Sequence, residues 1–366
     1  MRHRLGFESP WRYSRRPAPQ AGLARGRAET GRGAGMAILT VTPLARIRSR
    51  FREALIGGRR AGMDRQQVHP GLVAGNGAAS RGAGPAWLDP VRRRRAAAYA
   101  AGPRLDHALA AAGRLQREGI PVSLGYSAPP EHGPRAVADV HIGAFEGLAA
   151  DDLDGYVSVK LAPLSFDSVL FGELEAASKR SGRRLHVDAL APDTVDRTWA
   201  LVEGAADPAA LGMALPGRWA RSVEDARRAL DLGLVVRVVK GQWADGDVDP
   251  AAGFLDVVDA LAGSKNLVAV ATHDVALLEE SLRRLTAART PCEAELLLGL
   301  PFAAPARAAR RLGVPVRLYV PYGSTGAAYG VGDLARNPVT AWWLVQDLLL
   351  GGDKTWQSIR RSRARL

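Results

Sequence analysis

The sequence of 366 residues has one cysteine, Cys292, and only five lysines among its 50 basic residues. A single thiol allows neither an internal disulfide nor a multi-cysteine metal site, which closes zinc-ribbon and iron–sulfur readings and fits a reducing compartment. Cys292 follows Pro291, has no evident activating neighbour, and reads as inert. Long apolar runs are missing as well. None reaches the roughly 18 residues that a membrane-spanning helix needs, so an integral membrane protein is not expected. Hydrophobic residues at 47% and charged residues at 24% are globular proportions.

What is abundant is arginine, and it is unevenly placed. Residues 1–62 hold 14 arginines, no lysine and three glutamates, a net +11 of the chain's +13. Charge gathered in an Arg/Gly/Pro-rich extension rather than on a folded face does not make a nucleic-acid footprint, and no nucleic-acid partner is expected. The segment 1–62 reads as a disordered extension, with a composition that partly resembles a transit peptide and without the apolar core of a secretory signal. Met36-Ala37-Ile38-Leu39 begins a more protein-like stretch and is a candidate for the true start. Residues 63–94 read as linker and N-terminal segment. Gly75-Asn76-Gly77 lacks the Lys-Ser/Thr of a phosphate loop.

From residue 95 the texture changes. Leu105, Ala108, Leu109, Ala112 and Leu115 repeat at helical spacing up to Gly119, and an apolar run from Ile120 to Tyr126 follows. Strand-like runs then begin near Pro121, Gly155, Arg184, Leu211, Leu234, Leu267, Ala294 and Pro315, with helical stretches between them. The 194 residues from first to last make seven intervals of a little under 28 residues, the length of a βα unit. Runs such as 235–239 and 267–271 are almost continuously apolar, as in parallel strands covered on both faces. The predicted fold is α/β, a (βα)8 TIM-like barrel over 95–350, with a basic C-terminal tail at 351–366.

A barrel of this kind carries its site at the C-terminal ends of the strands. Polar residues gather there: Lys160 after strand two, His186 and Asp188 at strand three, Arg237, Lys240 and Gly241 at strand five, Thr272, His273 and Asp274 at strand six, and Tyr319 and Tyr322 at strand eight. Two of the five lysines thus stand at strand ends, where an unpaired ammonium is costly. A structural Lys160–Asp188 pair is one reading. A polar site for a charged small molecule is the other.

Five motifs in order carry a family resemblance: Val157-Ser158-Val159-Lys160-Leu161-Ala162, Val187-Asp188-Ala189, Val236-Arg237-Val238-Val239-Lys240-Gly241, Thr272-His273-Asp274, and Arg317-Leu318-Tyr319-Val320-Pro321-Tyr322-Gly323. Together they resemble the FAD-dependent proline dehydrogenase family, monofunctional bacterial type. The resemblance implies a distorted barrel holding FAD, with Arg237, Val239, Lys240, Gly241, Thr272, His273 and Leu297 on the cofactor. Lys160, Asp188, Arg237, Tyr319 and Tyr329 would be the catalytic or substrate-side residues, and no metal is implied. The implied chemistry is oxidation of L-proline or a related amine or imino acid to an imine, hydride passing to flavin N5. A quinone or other acceptor would take the electrons, and the location would be cytoplasmic, with at most peripheral contact at the inner face of the membrane.

The sequence also departs from the family's pattern. Pro216-Gly217-Arg218 stands where Gln-Ala-Tyr is common, and Gln242-Trp243 where Ala-Tyr follows the Lys-Gly pair. Gly332 and Asp333 occupy the positions of the arginine pair that grips the substrate carboxylate, and Arg336 the position of a glutamate. Neither Gly nor Asp can replace a forked guanidinium, although Arg336 lies one helical turn from Gly332. A flavin-free or inactive relative serving as a binding or regulatory protein is therefore the alternative expectation. Trp342-Trp343 reads as packing, since adjacent helix positions do not share one face.

Overall fold

The computed structural model describes residues 100–189, 191–241 and 248–324. Eight parallel strands close into one barrel in sequence order, each hydrogen-bonded to the next and the last to the first. They are β1 (Val122–Ser127), β2 (Gly155–Val159), β3 (Leu185–Val187), β4 (Gly212–Pro216), β5 (Val235–Val239), β6 (Val268–Ala271), β7 (Cys292–Leu297) and β8 (Val316–Gly323). The predicted starts agree within two residues. The largest difference is β7, which opens at Cys292 rather than Ala294, because Glu293 and Glu295 interrupt the apolar pattern yet lie buried inside the barrel.

A helix α1 (Leu105–Arg117) precedes β1, and the crossovers carry α2 (Pro134–Ala150), α3 (Ser168–Ser181), α4 (Val195–Glu203), α5 (Ser222–Asp231), α6 (Pro250–Leu261), α7 (Val275–Ala287) and α8 (Ala303–Arg311). Local chemistry fixes several of their starts. Asp167, Asp249 and Asp274 each accept backbone N–H groups of the first turn, at α3, α6 and α7 respectively. Apolar residues on the outer face of the strands, among them Leu124, Val157, Val236, Leu296 and Leu318, are fully buried against this helical layer. That burial is the main source of stability, at about 25 cal/mol per Å² of apolar surface removed from water.

Because side chains alternate along a strand, the outward apolar set leaves the other set pointing at the barrel axis. In this protein the inward set is strongly polar, including Ser123, Tyr156, Ser158, His186, Arg237, Glu293, Glu295 and Arg317. The expectations for residues 1–62, 63–94 and 351–366, and for the part of 95–350 after 324, lie outside the described residues.

Candidate active site

The centre of the site is Arg237, in the middle of β5 and only 4% exposed. Its guanidinium is held from two sides. Nη1 donates to Glu295 Oε1 on β7 at 2.8 Å, and Nη2 donates to Ser158 Oγ on β2 at 3.0 Å and to Asp188 Oδ1 just beyond β3. Ser158 itself donates to Asp188 Oδ1 at 2.7 Å. The Lys160 ammonium stands 3.7 Å from Asp188 Oδ2 and donates to the carbonyl of Tyr126 at 3.1 Å. Tyr319 on β8 donates its hydroxyl to Asp188 Oδ2 at 3.2 Å, and the Arg237 guanidinium carbon lies 5.3 Å from the centre of the Tyr319 ring.

Four charged groups thus alternate in sign from the rim to the interior: Lys160, Asp188, Arg237 and Glu295. Burial alone would raise the Asp188 carboxyl. The charges of Arg237 and Lys160 and the hydroxyls of Ser158 and Tyr319 outweigh it and hold Asp188 below the usual carboxylate range. Burial would likewise discharge Arg237, yet Glu295 and Asp188 hold it firmly protonated. Burial and the neighbouring Asp188 carboxylate push the Tyr319 phenol well above its ordinary value, so it stays a neutral donor.

Glu295 is itself anchored, accepting from Ser123 Oγ at 2.7 Å and from the Tyr156 hydroxyl. Deeper in the barrel Arg317 donates to Glu293 Oε1 at 2.9 Å and to the Val122 carbonyl at 2.9 Å. Arg184 covers the face of the Tyr156 ring, its guanidinium carbon 4.3 Å from the ring centre. Beside that ring lies His186, whose protonation is suppressed first by burial and then by Arg237, Arg184 and Arg317.

The predicted cofactor residues form the opposite side of the same mouth. Val239 pairs in register with both Pro216 and Ala271, and Leu297 with Tyr319, so three half-buried apolar residues, Val239, Ala271 and Leu297, end adjacent strands. Gly241 adopts φ +85°, and a Cβ there would stand 2.7 Å from Pro216, so the chain needs glycine to leave β5 past β4. Lys240 is half exposed and pairs with Asp274 at 3.2 Å. Thr272 Oγ1 accepts the Asp274 N–H at 3.2 Å. His273 accepts the Leu297 N–H at its Nε2, 2.8 Å away, while its Nδ1 lies 3.2 Å from the Pro301 carbonyl. Its two nitrogens therefore clip the end of β7 in place and fix a neutral tautomer, in agreement with a pKa that burial lowers to about 4.

The structure brings Lys160, Asp188, Arg237 and Tyr319 into one array and puts Val239, Gly241, Thr272, His273 and Leu297 around its mouth, with Lys240 on the rim. Tyr329, Gly332, Asp333, Arg336, Gln242, Trp243 and Trp342-Trp343 lie outside the described residues. Just past β4, Arg218 donates to the Gly241 carbonyl at 3.4 Å, tying the segment after β4 to the turn after β5. Sequence reasoning passed over Glu295, Tyr156 and Ser123. The signal was present in the alternation of Glu293 and Glu295 within an otherwise apolar strand. Cys292 is half-buried, and burial, then Glu293, raises its thiol pKa to about 11, which leaves it unreactive near neutral pH.

An apolar wall, a fixed guanidinium and a row of alternating charges thus stand together at the strand ends, on a chain that has recognisable relatives. The chain is 24% identical over 274 residues to proline dehydrogenase 1 of Bacillus subtilis subsp. natto, covering 69% of this chain and 89% of that protein. It is 27% identical over 280 residues to the proline dehydrogenase of Deinococcus radiodurans, with the same coverage. The chain is thus similar to proline dehydrogenases over most of their length. No protein-family model matches it.

Solved structures share the fold of this chain. Proline utilization A of Bdellovibrio bacteriovorus, inactivated by N-propargylglycine, superposes with a TM-score of 0.58 at 16% identity, covering 65% of this chain. The corresponding protein of Corynebacterium freiburgense gives 0.52 at 17% identity over 76% of the chain. This chain spans about a third of the length of each of those proteins, 32% and 35%. Among the described residues no helix is long and apolar enough to cross a membrane.

Proposed function

We propose that this protein is an FAD-dependent oxidoreductase that oxidises L-proline or a related secondary amine to an imine, and that it passes the electrons to a quinone or another acceptor. The observation that carries the reading is the Lys160–Asp188–Arg237–Glu295 array at the strand ends, beside the apolar wall of Val239, Ala271 and Leu297. Its residues suit a flavin in donor chemistry: apolar side chains on adjacent strand ends for a ring system, and one fixed cation for the charge that a reduced flavin carries. When bound, the flavin supplies the two-electron acceptance that no side chain can.

The protein's own residues bind and orient. Tyr319, locked by Asp188, offers an aromatic face to a substrate ring and keeps its hydroxyl protonated. Lys160, whose side chain is 26% exposed, is a cation at the mouth able to meet a carboxylate. Arg237 cannot swing away, because both Nη atoms are occupied by carboxylates. With Gly332 and Asp333 in place of an arginine pair, the substrate carboxylate would be gripped less firmly than in the relatives' pattern. A relative that had abandoned the chemistry would have little reason to keep a buried charge array, since such arrays cost desolvation and often add no stability. The test is anaerobic mixing of FAD-loaded protein with L-proline, N-methylated and decarboxylated analogues, and N-propargylglycine. Bleaching of the flavin absorbance by at least one amine supports the reading. Loaded protein that none of them reduces or inactivates contradicts it.

A further inference from the structure

The reading above gives Arg237 a role beside the cofactor but leaves open what sets the size of its effect. A guanidinium between two carboxylates presents a smaller net field than a guanidinium alone. Asp188 is already offset by Lys160 on its other oxygen, so the charge that weighs directly against Arg237 is Glu295. Glu295 is 3% exposed, and its partners are fixed by strand register: Ser123 on β1, Tyr156 on β2 and Arg237 on β5 converge on it. Nothing in that arrangement moves with the rim, and a strained or mobile carboxylate would not be held by three donors from three strands.

Resting on the flavin reading, we infer that Glu295 is a positioning residue that sets the reduction potential of the bound cofactor, by fixing Arg237 and offsetting its positive charge. Loss of that negative charge leaves a less compensated cation in a low-dielectric site and stabilises the reduced, more anionic flavin over the oxidised one, which raises the potential. Glu295→Gln keeps an oxygen for Arg237 and Ser123, removes the charge, and turns an amide N–H toward the Tyr156 hydroxyl, which can rotate to accept it. Glu295→Asp keeps the charge.

The experiment is a dye-coupled potentiometric titration of the FAD-loaded protein, compared with Glu295→Gln, Glu295→Asp, Tyr156→Phe and the surface control Glu203→Gln. The expected result for Glu295→Gln is at least a tenfold change in favour of reduced over oxidised flavin binding, about 30 mV upward for a two-electron couple. Glu295→Asp and Glu203→Gln stay at the parental value. Tyr156→Phe removes a donor that partly screens the carboxylate, and lowers the potential; it provides the reading if Glu295→Gln does not fold. An unchanged or lowered potential in Glu295→Gln, or a raised one in Tyr156→Phe, with the flavin spectrum intact, overturns the inference while the flavin reading stands. A parental protein that takes up no FAD overturns both.

Discussion

Gly125 on β1 makes the room that the Tyr319 hydroxyl occupies: a Cβ at position 125 would stand 1.8 Å from that oxygen. The glycine is needed here for close approach. Its consequence is that the Tyr319 ring, whose register partner on β1 is Ser123, can lie over Gly125 and reach Asp188 because that position has no side chain.

Gly125→Ala should therefore displace Tyr319 from Asp188. We expect kcat/KM for flavin reduction to fall at least tenfold, with a stability loss of about 1–3 kcal/mol from overpacking. Stopped-flow reduction beside Tyr319→Phe checks this. A Gly125→Ala protein as fast as the parent would mean that the Tyr319–Asp188 contact is unimportant to the reaction.

Asp188→Asn should be costly to the fold as well as to the site. It leaves Arg237 buried with one carboxylate instead of two, and removing one partner of a buried pair costs about 3–5 kcal/mol. Urea unfolding of the apo protein measures it. A midpoint within error of the parent would show that solvent reaches Arg237 far more freely than its 4% exposure allows.

Acid should destabilise the protein well before its carboxylates titrate. His141 is buried, and burial, then Lys160, lowers its pKa to about 3; His273 is lowered to about 4. Folding therefore favours the neutral imidazoles, and their contribution is complete above the unfolded value near 6.5 and is lost as pH falls toward 4. Within that window His141 alone gives a slope of up to about 1.4 kcal/mol per pH unit. Chemical denaturation between pH 7.5 and 4.5 should show the decline, and His141→Asn should flatten it. Equal slopes in the two proteins would contradict the assignment.

The barrel was legible because its outer face is apolar and its units recur at near-constant length. Even the strand starts fall within two residues; before β1, β3 and β8 the preceding helix stops at Gly119, Gly182 and Gly313, each with positive φ, of which Gly119 reads from sequence as a stop. The rim residues were legible as motifs. The interior partners were not, because Tyr156 and Ser123 are common strand residues whose importance comes only from closure, which brings β1, β2, β5 and β7 to one point. His273 reads from sequence as a cofactor contact; its nitrogens also serve the backbone of β7 and the Pro301 carbonyl, a role that no local pattern announces.

In the proposed reaction, substrate choice is expected to turn on residues 332 and 333. If the missing arginine pair weakens the hold on a carboxylate, L-proline should bind with a high KM, and the double change Gly332→Arg/Asp333→Arg should lower it by at least tenfold, each charge-assisted hydrogen bond being worth about 1.5–3 kcal/mol. Arg336→Ala should raise KM further if that side chain supplies a single-arginine grip. Tight proline oxidation by the parent, insensitive to Arg336→Ala, would show that another cation, with Lys160 the first to examine, does the work alone.

The central claim is that the charge array at the strand ends serves a flavin reduced by an amine, and the visible spectrum of the purified protein tests it most directly. Absorbance bands of bound flavin are expected, as isolated or after adding FAD, that bleach under anaerobic addition of L-proline or a related secondary amine and bleach far more slowly in Arg237→Met. A colourless protein that takes up no FAD, or a flavoprotein that Arg237→Met reduces at the parental rate, would contradict it.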